Sequence, residues 1–312
     1  MMTVIHTMAE LQEISSPIHW AMGVFDGIHI GHQRVIASAV DSARQQGEVA
    51  GVLTFEQNPL CYLRPTDAPA KLLADNQEKI RLMESLGVEL ILSLKFDASM
   101  AQMSPDCFLK ALRQHDKLAS ISVGDDWKFG KSRAGNIHFL LEQGRQNGFG
   151  VHIIPPVLWN GERVSSTRIR QAVAMGEIEA VAGMLGRPFT LTGTVIHGRQ
   201  LARQLGFPTA NIRPLHQQLP PKGVYAVRVS LDGQIREGIA NLGQRPTVEQ
   251  SEGELLLEVH LLEANLDLYG RDLCVECLRY LRPEMKFESI DLLQMQMTQD
   301  VELARKVLFE SR

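Results

Sequence analysis

At 312 residues the chain is too long for one ordinary core, and two domains of about 150 residues each are expected. Apolar residues make up 44% and charged residues 22%, so a sizeable core can form without disulfide or metal staples. The net charge of −4 excludes a global basic field for nucleic acid or an anionic membrane, which leaves small-molecule partners. A local basic patch for phosphates stays compatible with that charge, and so does a weak homo-oligomer.

Met1 to Glu13 lacks the apolar h-region of a secretion signal, and no stretch is long enough to span a membrane. Of the four cysteines, Cys274 and Cys277 spell C-x-x-C, but no second pair follows at zinc spacing. They are read as ordinary half-buried thiols, and reduced thiols fit the cytoplasm. Short apolar runs at 18–24, 49–55, 88–94, 119–124 and 149–154 read as strands. Helical patterns lie between them. One spans about 31–46 and stops at Gly47. A second follows Asp75, with Glu78 completing a capping box. A third is capped by Ser104, with Pro105 at its first position. This alternation predicts a parallel sheet with helices on its faces over 1–185.

Gly186-Arg187-Pro188 breaks the pattern. Period-two segments follow at 189–196, 224–231, 234–241, 255–262 and 272–280, with Asp232-Gly233 as a hairpin signal. They predict an antiparallel sandwich or barrel over 186–312. A final helix over 288–309 lines up Ile290, Leu293, Met297, Val301, Ala304 and Leu308 for packing against it.

Three segments of the first half carry chemistry. Residues 23–32, GVFDGIHIGH, leave a strand and open a helix, so His29, Gly31 and His32 stand where amides and the helix dipole favour phosphate. Gly23, Gly27 and Gly31 permit tight turning and close approach. Such a site suits attack of a phosphate on the α-phosphate of a nucleoside triphosphate. The nucleophile is already an anion, so the protein must supply donors and positive charge, a cationic cradle, rather than a base. In residues 163–170, RVSSTRIR, Ser165 or Ser166 begins a helix, so hydroxyls, amides and Arg side chains converge there. Residues 123–130, VGDDWKFG, end a strand where open α/β sheets bind ligands. Their acids and rings suit a flat heteroaromatic ligand, or they form a polar loop over two packed aromatics.

In the second half, Gly206-Phe207-Pro208-Thr209-Ala210-Asn211 puts a hydroxyl and an amide two residues apart, facing one way in an extended chain. Those are hard ligands for Mg²⁺ carrying nucleotide phosphates. Gly198 to Gly206, with Arg199 and Arg203, reads as a loop covering phosphates, although it is no P-loop. Glu258 lies in the apolar run LLLEVHLL, where a buried acid is costly unless it has a role. A positioned carboxylate is what phosphoryl transfer to an alcohol needs.

Together GVFDGIHIGH, VGDDWKFG, RVSSTRIR, LGFPTANI, KGVYAV, NLGQRPTV, LEVHLL and DLYG resemble the bacterial bifunctional riboflavin kinase/FMN adenylyltransferases, the FAD synthetases, over nearly the whole chain. The resemblance implies a Rossmann-like nucleotidyltransferase domain, 1–185, followed by a six-stranded Greek-key β-barrel with a C-terminal helix, 186–312. It implies phosphorylation of riboflavin to FMN and adenylylation of FMN to FAD, with ATP and Mg²⁺. By the same likeness His29, His32, Arg163, Ser166 and Thr167 serve the adenylyl transfer, with Gly23, Phe25, Asp26, Gly27, Gly31 and Arg170 in its binding site. Asp126 and Phe129 contact the flavin. Thr209 and Asn211 hold Mg-ATP in the kinase half, Glu258 is its base, and Gly198, Gly206, Pro208, Lys222 and Tyr225 line its site. Two positions depart from the pattern. Ala202 replaces a usual Gly, at a cost of about 1–2 kcal/mol if the backbone there is left-handed. Val24 stands where Asn is common. Two other readings remain: adenylyl transfer to another phosphate acceptor, such as phosphopantetheine or nicotinate mononucleotide, or a flavin carrier or regulator with one inactive site.

Overall fold

The computed structural model describes residues 2–63, 71–196, 207–214, 217–231, 233–244, 255–262 and 268–310. The chain divides into two compact units, one of residues 1–70 and 76–166, the other of 71–75 and 167–312.

The first unit is built on six parallel strands: β1 (Thr3–Ile5), β2 (Ile18–Met22), β3 (Val49–Phe55), β4 (Leu90–Leu94), β5 (Leu118–Gly124) and β6 (Gly150–Ile154). Their order across the sheet is β1-β4-β3-β2-β5-β6. Alternation along each strand sends neighbours to opposite faces. Trp20, Met22, Leu53, Leu90 and Leu92 join one apolar cluster with Phe108, Leu109 and Leu112 of helix α5 (Pro105–Leu112). Ala21, Val52 and Ile91 join the other, with Val35, Ile36 and Ala39 of α1 (Ile30–Gln46) and Met83 of α3 (Asn76–Ser85). Both faces are covered, which is why these strands read as near-continuous apolar runs. Each fully buried aliphatic side chain contributes about 1.5–3 kcal/mol.

Local signals match the helix ends. Gly47 takes the left-handed conformation after α1, and Ser104 Oγ accepts from the Cys107 amide at 3.2 Å to start α5. Helix α2 (Pro59–Leu63), α4 (Ala98–Gln102), α6 (Ile137–Asn147) and a small hairpin, β7 (Leu158–Trp159) with β8 (Glu162–Arg163), complete the unit. The sheet order reverses between β2 and β5, and the crevice beyond the carboxyl ends of those strands is where such sheets bind ligands.

The second unit holds α7, which spans Ser166–Met175 and begins at the unit boundary, and α8 (Ile178–Leu185), followed by a closed antiparallel barrel. Its strands are β9 (Phe189–Ile196), β10 (Thr209–Pro214), β11 (Gly223–Leu231), β12 (Gln234–Gln244), β13 (Leu255–Leu261) and β14 (Asp272–Arg282). They run in the order β10-β13-β12-β11-β14-β9, and β9 pairs with β10 to close the ring. Gly193 makes that closure possible, because a Cβ there would lie 2.1 Å from the Arg213 carbonyl oxygen. Five of the six strands match the period-two segments. The sixth, β10, lacks that signal and is seen only through its pairing. Residues 231 and 234 pair across the expected hairpin turn, of which Asp232 lies outside the described residues.

The C-terminal helix spans Ile290–Glu310 and buries Ala304, Val307 and Leu308 against Ala226 and Ile239 of the barrel. Ile290, expected on the packed face, is exposed, because contact with the barrel begins further along the helix. Asp300 is buried on that face, where Arg282 Nε and Nη2 donate to its carboxylate at 2.8 and 2.6 Å. Cys277 is buried, which pushes its thiol up to about 12, while Cys274 is half-buried. Such a thiol is unreactive.

Candidate active sites

The turn between β2 and α1 carries the first group of expected residues. It is left-handed at three positions: Phe25 (φ 53°), Gly27 (φ 76°) and Ile28 (φ 39°). Two of these are not glycine, so the surrounding structure must hold the turn in place. Phe25 and Asp26 are buried, and Gly23 lies under the Phe25 ring, where a Cβ would come within 3.1 Å. His29 is the N-cap of α1, and its Nδ1 accepts from the His32 amide at 3.2 Å. A neutral His29 with Nδ1 accepting carries its proton on Nε2, which makes that atom a donor suited to a phosphate oxygen. Gly31 lets the two rings approach, since a Cβ there would meet the His29 ring at 3.0 Å. The rings stack with centroids 3.6 Å apart and 18° between planes, and Phe25 meets His32 edge-on at 5.3 Å.

Electrostatics alter the expected cradle. Burial, then the neighbouring His29 and Lys79, hold His32 well below the ordinary histidine value. His32 is therefore neutral at pH 7 before ligand arrives, and its Nδ1 is buried with no hydrogen-bond partner. His32 thus adds no charge to the expected cationic cradle before a ligand binds. A half-buried cation beside them is Lys79 of α3, which sequence reasoning missed. Its Nζ donates to Thr54 Oγ1 at 2.8 Å, the Val24 carbonyl at 3.0 Å and the Phe55 carbonyl at 3.3 Å. A single lysine in an amphipathic helix carries no sequence signal for such contacts, which join residues far apart in the chain.

The 163–170 segment meets both the first turn and the 123–130 segment. Ser166 Oγ donates to the Asp26 carbonyl at 3.0 Å. Arg163 lies near the end of β5, where Nη2 is 2.7 Å from Asp125 Oδ1 and 3.0 Å from Asp126 Oδ1. Phe129 stacks on Trp127 at 4.3 Å and touches Phe108 edge-on, so one side of this ring pair rests on the core. Thr167 is exposed, and Arg170 Nε donates to the Lys71 carbonyl at 2.8 Å; both residues belong to the second unit.

In the barrel, strand register assembles the second group. Asn211 of β10 lies directly opposite Glu258 of β13, and Thr209 opposite His260. Opposed residues of an antiparallel pair project on one face, so hydroxyl, amide and carboxylate share a surface. Asn241 of β12 is the partner of Glu258 on its other side. His260 Nδ1 lies 2.9 Å from the Pro208 carbonyl oxygen, with Phe207 edge-on to its ring. Glu258 is exposed, which corrects the argument from a costly buried acid. The buried face of β13 is that of Leu257, Val259 and Leu261, and alternation puts Glu258 on the other. Tyr225 is fully buried, its hydroxyl donating to the Pro221 carbonyl and its ring edge-on to Tyr280. Burial raises its pKa. That is the position of a core residue, so any part it takes in binding runs through the Pro221–Lys222 turn that it anchors. Lys222 is exposed at that turn. Gly198, Ala202 and Gly206 lie outside the described residues.

Residues 11–168 match the family described as FAD synthetase, and residues 185–308 match that described as riboflavin kinase. Similar curated proteins are the bifunctional riboflavin kinase/FMN adenylyltransferases of Haemophilus influenzae and Escherichia coli K12. The first is 40% identical, over 93% of this chain and 94% of that protein. The second is 38% identical, over 91% of each. Among solved structures, a crystal structure titled as a macrolide-efflux protein from Streptococcus pneumoniae has a TM-score of 0.86 at 30% identity. It covers 97% of this chain and 98% of that one. Among the described residues, no helix is long and apolar enough to cross a membrane. With both halves matched in order and the curated relatives aligned almost end to end, the chain belongs to the bifunctional riboflavin kinase/FMN adenylyltransferase family.

Proposed function

We propose that the chain makes FAD from riboflavin in two steps that each consume ATP, with FMN adenylylation in residues 1–185 and riboflavin phosphorylation in residues 186–312. The observation that carries this division is the order of the two family matches, FAD synthetase and then riboflavin kinase.

In adenylyl transfer, a phosphate oxygen of FMN attacks the α-phosphorus of ATP, the bond to the β-phosphate oxygen breaks, and pyrophosphate leaves. The nucleophile is an anion, so no base is required. His29 Nε2–H, the amides opening α1, Arg163 and Ser166 serve the phosphates. Asp126 and Phe129 serve the flavin, and Gly23, Phe25, Asp26, Gly27 and Gly31 shape or line the pocket. Thr167 and Arg170 are assigned to the same reaction by the family likeness alone. Binding of a polyanion favours protonation of His32 by its opposite charge, which offsets the burial and the neighbouring His29 and Lys79 that hold it neutral.

In phosphoryl transfer, the riboflavin hydroxyl attacks the γ-phosphorus, Glu258 takes its proton, and ADP leaves. The exposed position of Glu258, opposite Asn211, suits a group that must meet substrate. Thr209 and Asn211 fit Mg²⁺ as hard oxygen donors on one strand face. When bound, the ion neutralises charge on the ATP phosphates. Pro208 and Lys222 are assigned to the same site. The enzyme is placed in the cytoplasm, with small molecules as partners and neither nucleic acid nor membrane among them. Four thiols and the net charge of −4 support that placement.

A chromatographic time course with riboflavin and Mg-ATP tests the whole reading. FMN should rise first and FAD follow. Supplying FMN should give FAD directly, and omitting Mg²⁺ should stop both. Adenylylation of another phosphate ester, with FMN left unreacted, would overturn it.

A further inference from the structure

We propose that Lys79 is a positioning residue for adenylyl transfer, its ammonium pinning the Val24 carbonyl and with it the left-handed turn that presents His29 and His32. The proposal rests on the assignment of FMN adenylylation to the first unit.

The geometry is that of a clamp. An ammonium has three N–H donors, and Lys79 directs them to three acceptors: the Val24 carbonyl, Thr54 Oγ1 and the Phe55 carbonyl. Val24 is the last residue before the left-handed stretch, and Thr54 and Phe55 end the neighbouring strand β3. Thr54 Oγ1 in turn donates to the same Val24 carbonyl at 3.1 Å. Helix α3 is thus tied through one side chain to the ends of two central strands at the sheet's switch point. Phe25 at φ 53° and Ile28 at φ 39° would relax toward commoner conformations if the turn were released, carrying the paired imidazoles with them. Val24 offers only its backbone here, and its carbonyl takes both donors.

The charge is costly where it sits. Burial lowers the Lys79 pKa to about 8, against a smaller opposing pull from Asp26. The titratable groups that face it are Asp26 and His32, and its charge helps keep His32 neutral. Between about 8 and the ordinary lysine value of about 10.4, the folded protein binds fewer protons at this site than the unfolded chain, so this group's contribution to stability rises with pH. The clamp loses its charge over the same interval. Activity and folding stability are therefore driven in opposite directions, which a purely structural lysine would not do.

The test follows both activities of the full-length chain in the same samples. Lys79→Met should lower kcat for FMN adenylylation by about 10²-fold while riboflavin phosphorylation stays within about two-fold. The parent should lose adenylylation as pH rises through about 8, and Lys79→Arg, which stays charged, should move that fall to higher pH. If Lys79→Met fails to fold, Thr54→Val decides the matter by removing one acceptor, with adenylylation lower by about ten-fold. Parental adenylylation in Lys79→Met or, failing that, in Thr54→Val overturns the proposal, as does an identical pH profile for parent and Lys79→Arg. Loss of phosphorylation with adenylylation kept would overturn the assignment of the reactions, and the proposal with it.

Discussion

In the first unit, the residues gathered around His29 and His32 hang on a turn held by hydrogen bonds from three other segments. In the second, Thr209, Asn211 and Glu258 are set by strand register alone. A turn can wrap an anion with amides and ring nitrogens, but it depends on what pins it from outside. A sheet face gives less enclosure, yet its side chains cannot move apart unless the ladder breaks. The two solutions match the two nucleophiles. An incoming phosphate needs to be surrounded by donors, whereas a neutral hydroxyl needs one acceptor at a fixed place.

The largest effects should come from breaking each site separately. His29→Ala should cut FAD formation from supplied FMN by about 10²–10³-fold and leave FMN formation from riboflavin intact. Glu258→Ala should cut FMN formation by about 10²–10⁴-fold and leave FAD formation from supplied FMN intact. Product analysis with each flavin separately checks both, and equal loss of both activities in either folded variant would dissolve the contrast. Next comes the barrel's own support. Asp300→Ala strands the largely buried Arg282 guanidinium and should destabilise the second unit by about 3–5 kcal/mol, read by urea unfolding followed through kinase activity.

A smaller effect concerns pH. The folded state holds His32 neutral below the ordinary value of about 6.5, so the unfolded chain takes up the proton first. Its contribution to stability is present above about 6.5 and is lost as pH falls below it. His32→Gln should flatten that part of the stability profile of the first unit. The smallest effect is at Ile290, which is 58% exposed, where Ser should change stability by less than about 0.5 kcal/mol.

The sequence made the sheet legible because its strands are buried on both faces. Runs such as VAGVLTF have no competing reading once helices flank them, and the observed strand there, Val49–Phe55, has the expected bounds. It made β10 hard to see because Thr209–Pro214 mixes Asn, Arg and Pro with only two aliphatic residues, and its strand character comes from β9 and β13 on either side. Glu258 was placed in the right strand with the wrong exposure. Leu256 and Leu262 suggested an apolar face, but on that face Leu256 is buried while His260 and Leu262 are half-buried and Glu258 is exposed. Lys79 was invisible for another reason: its partners, Val24, Thr54 and Phe55, stand 55, 25 and 24 residues away, and no local pattern encodes such contacts.

The left-handed Ile28 bears on how this enzyme would respond to selection for heat tolerance. A β-branched residue at φ 39° stores about 1–3 kcal/mol, but the Ile28 side chain is buried in the core, so replacement by glycine would relieve that strain only by opening a cavity that costs about 2–5 kcal/mol. Screens that reward only survival on heating should therefore leave this turn unchanged and gain their stability elsewhere in the chain, with FAD formation preserved.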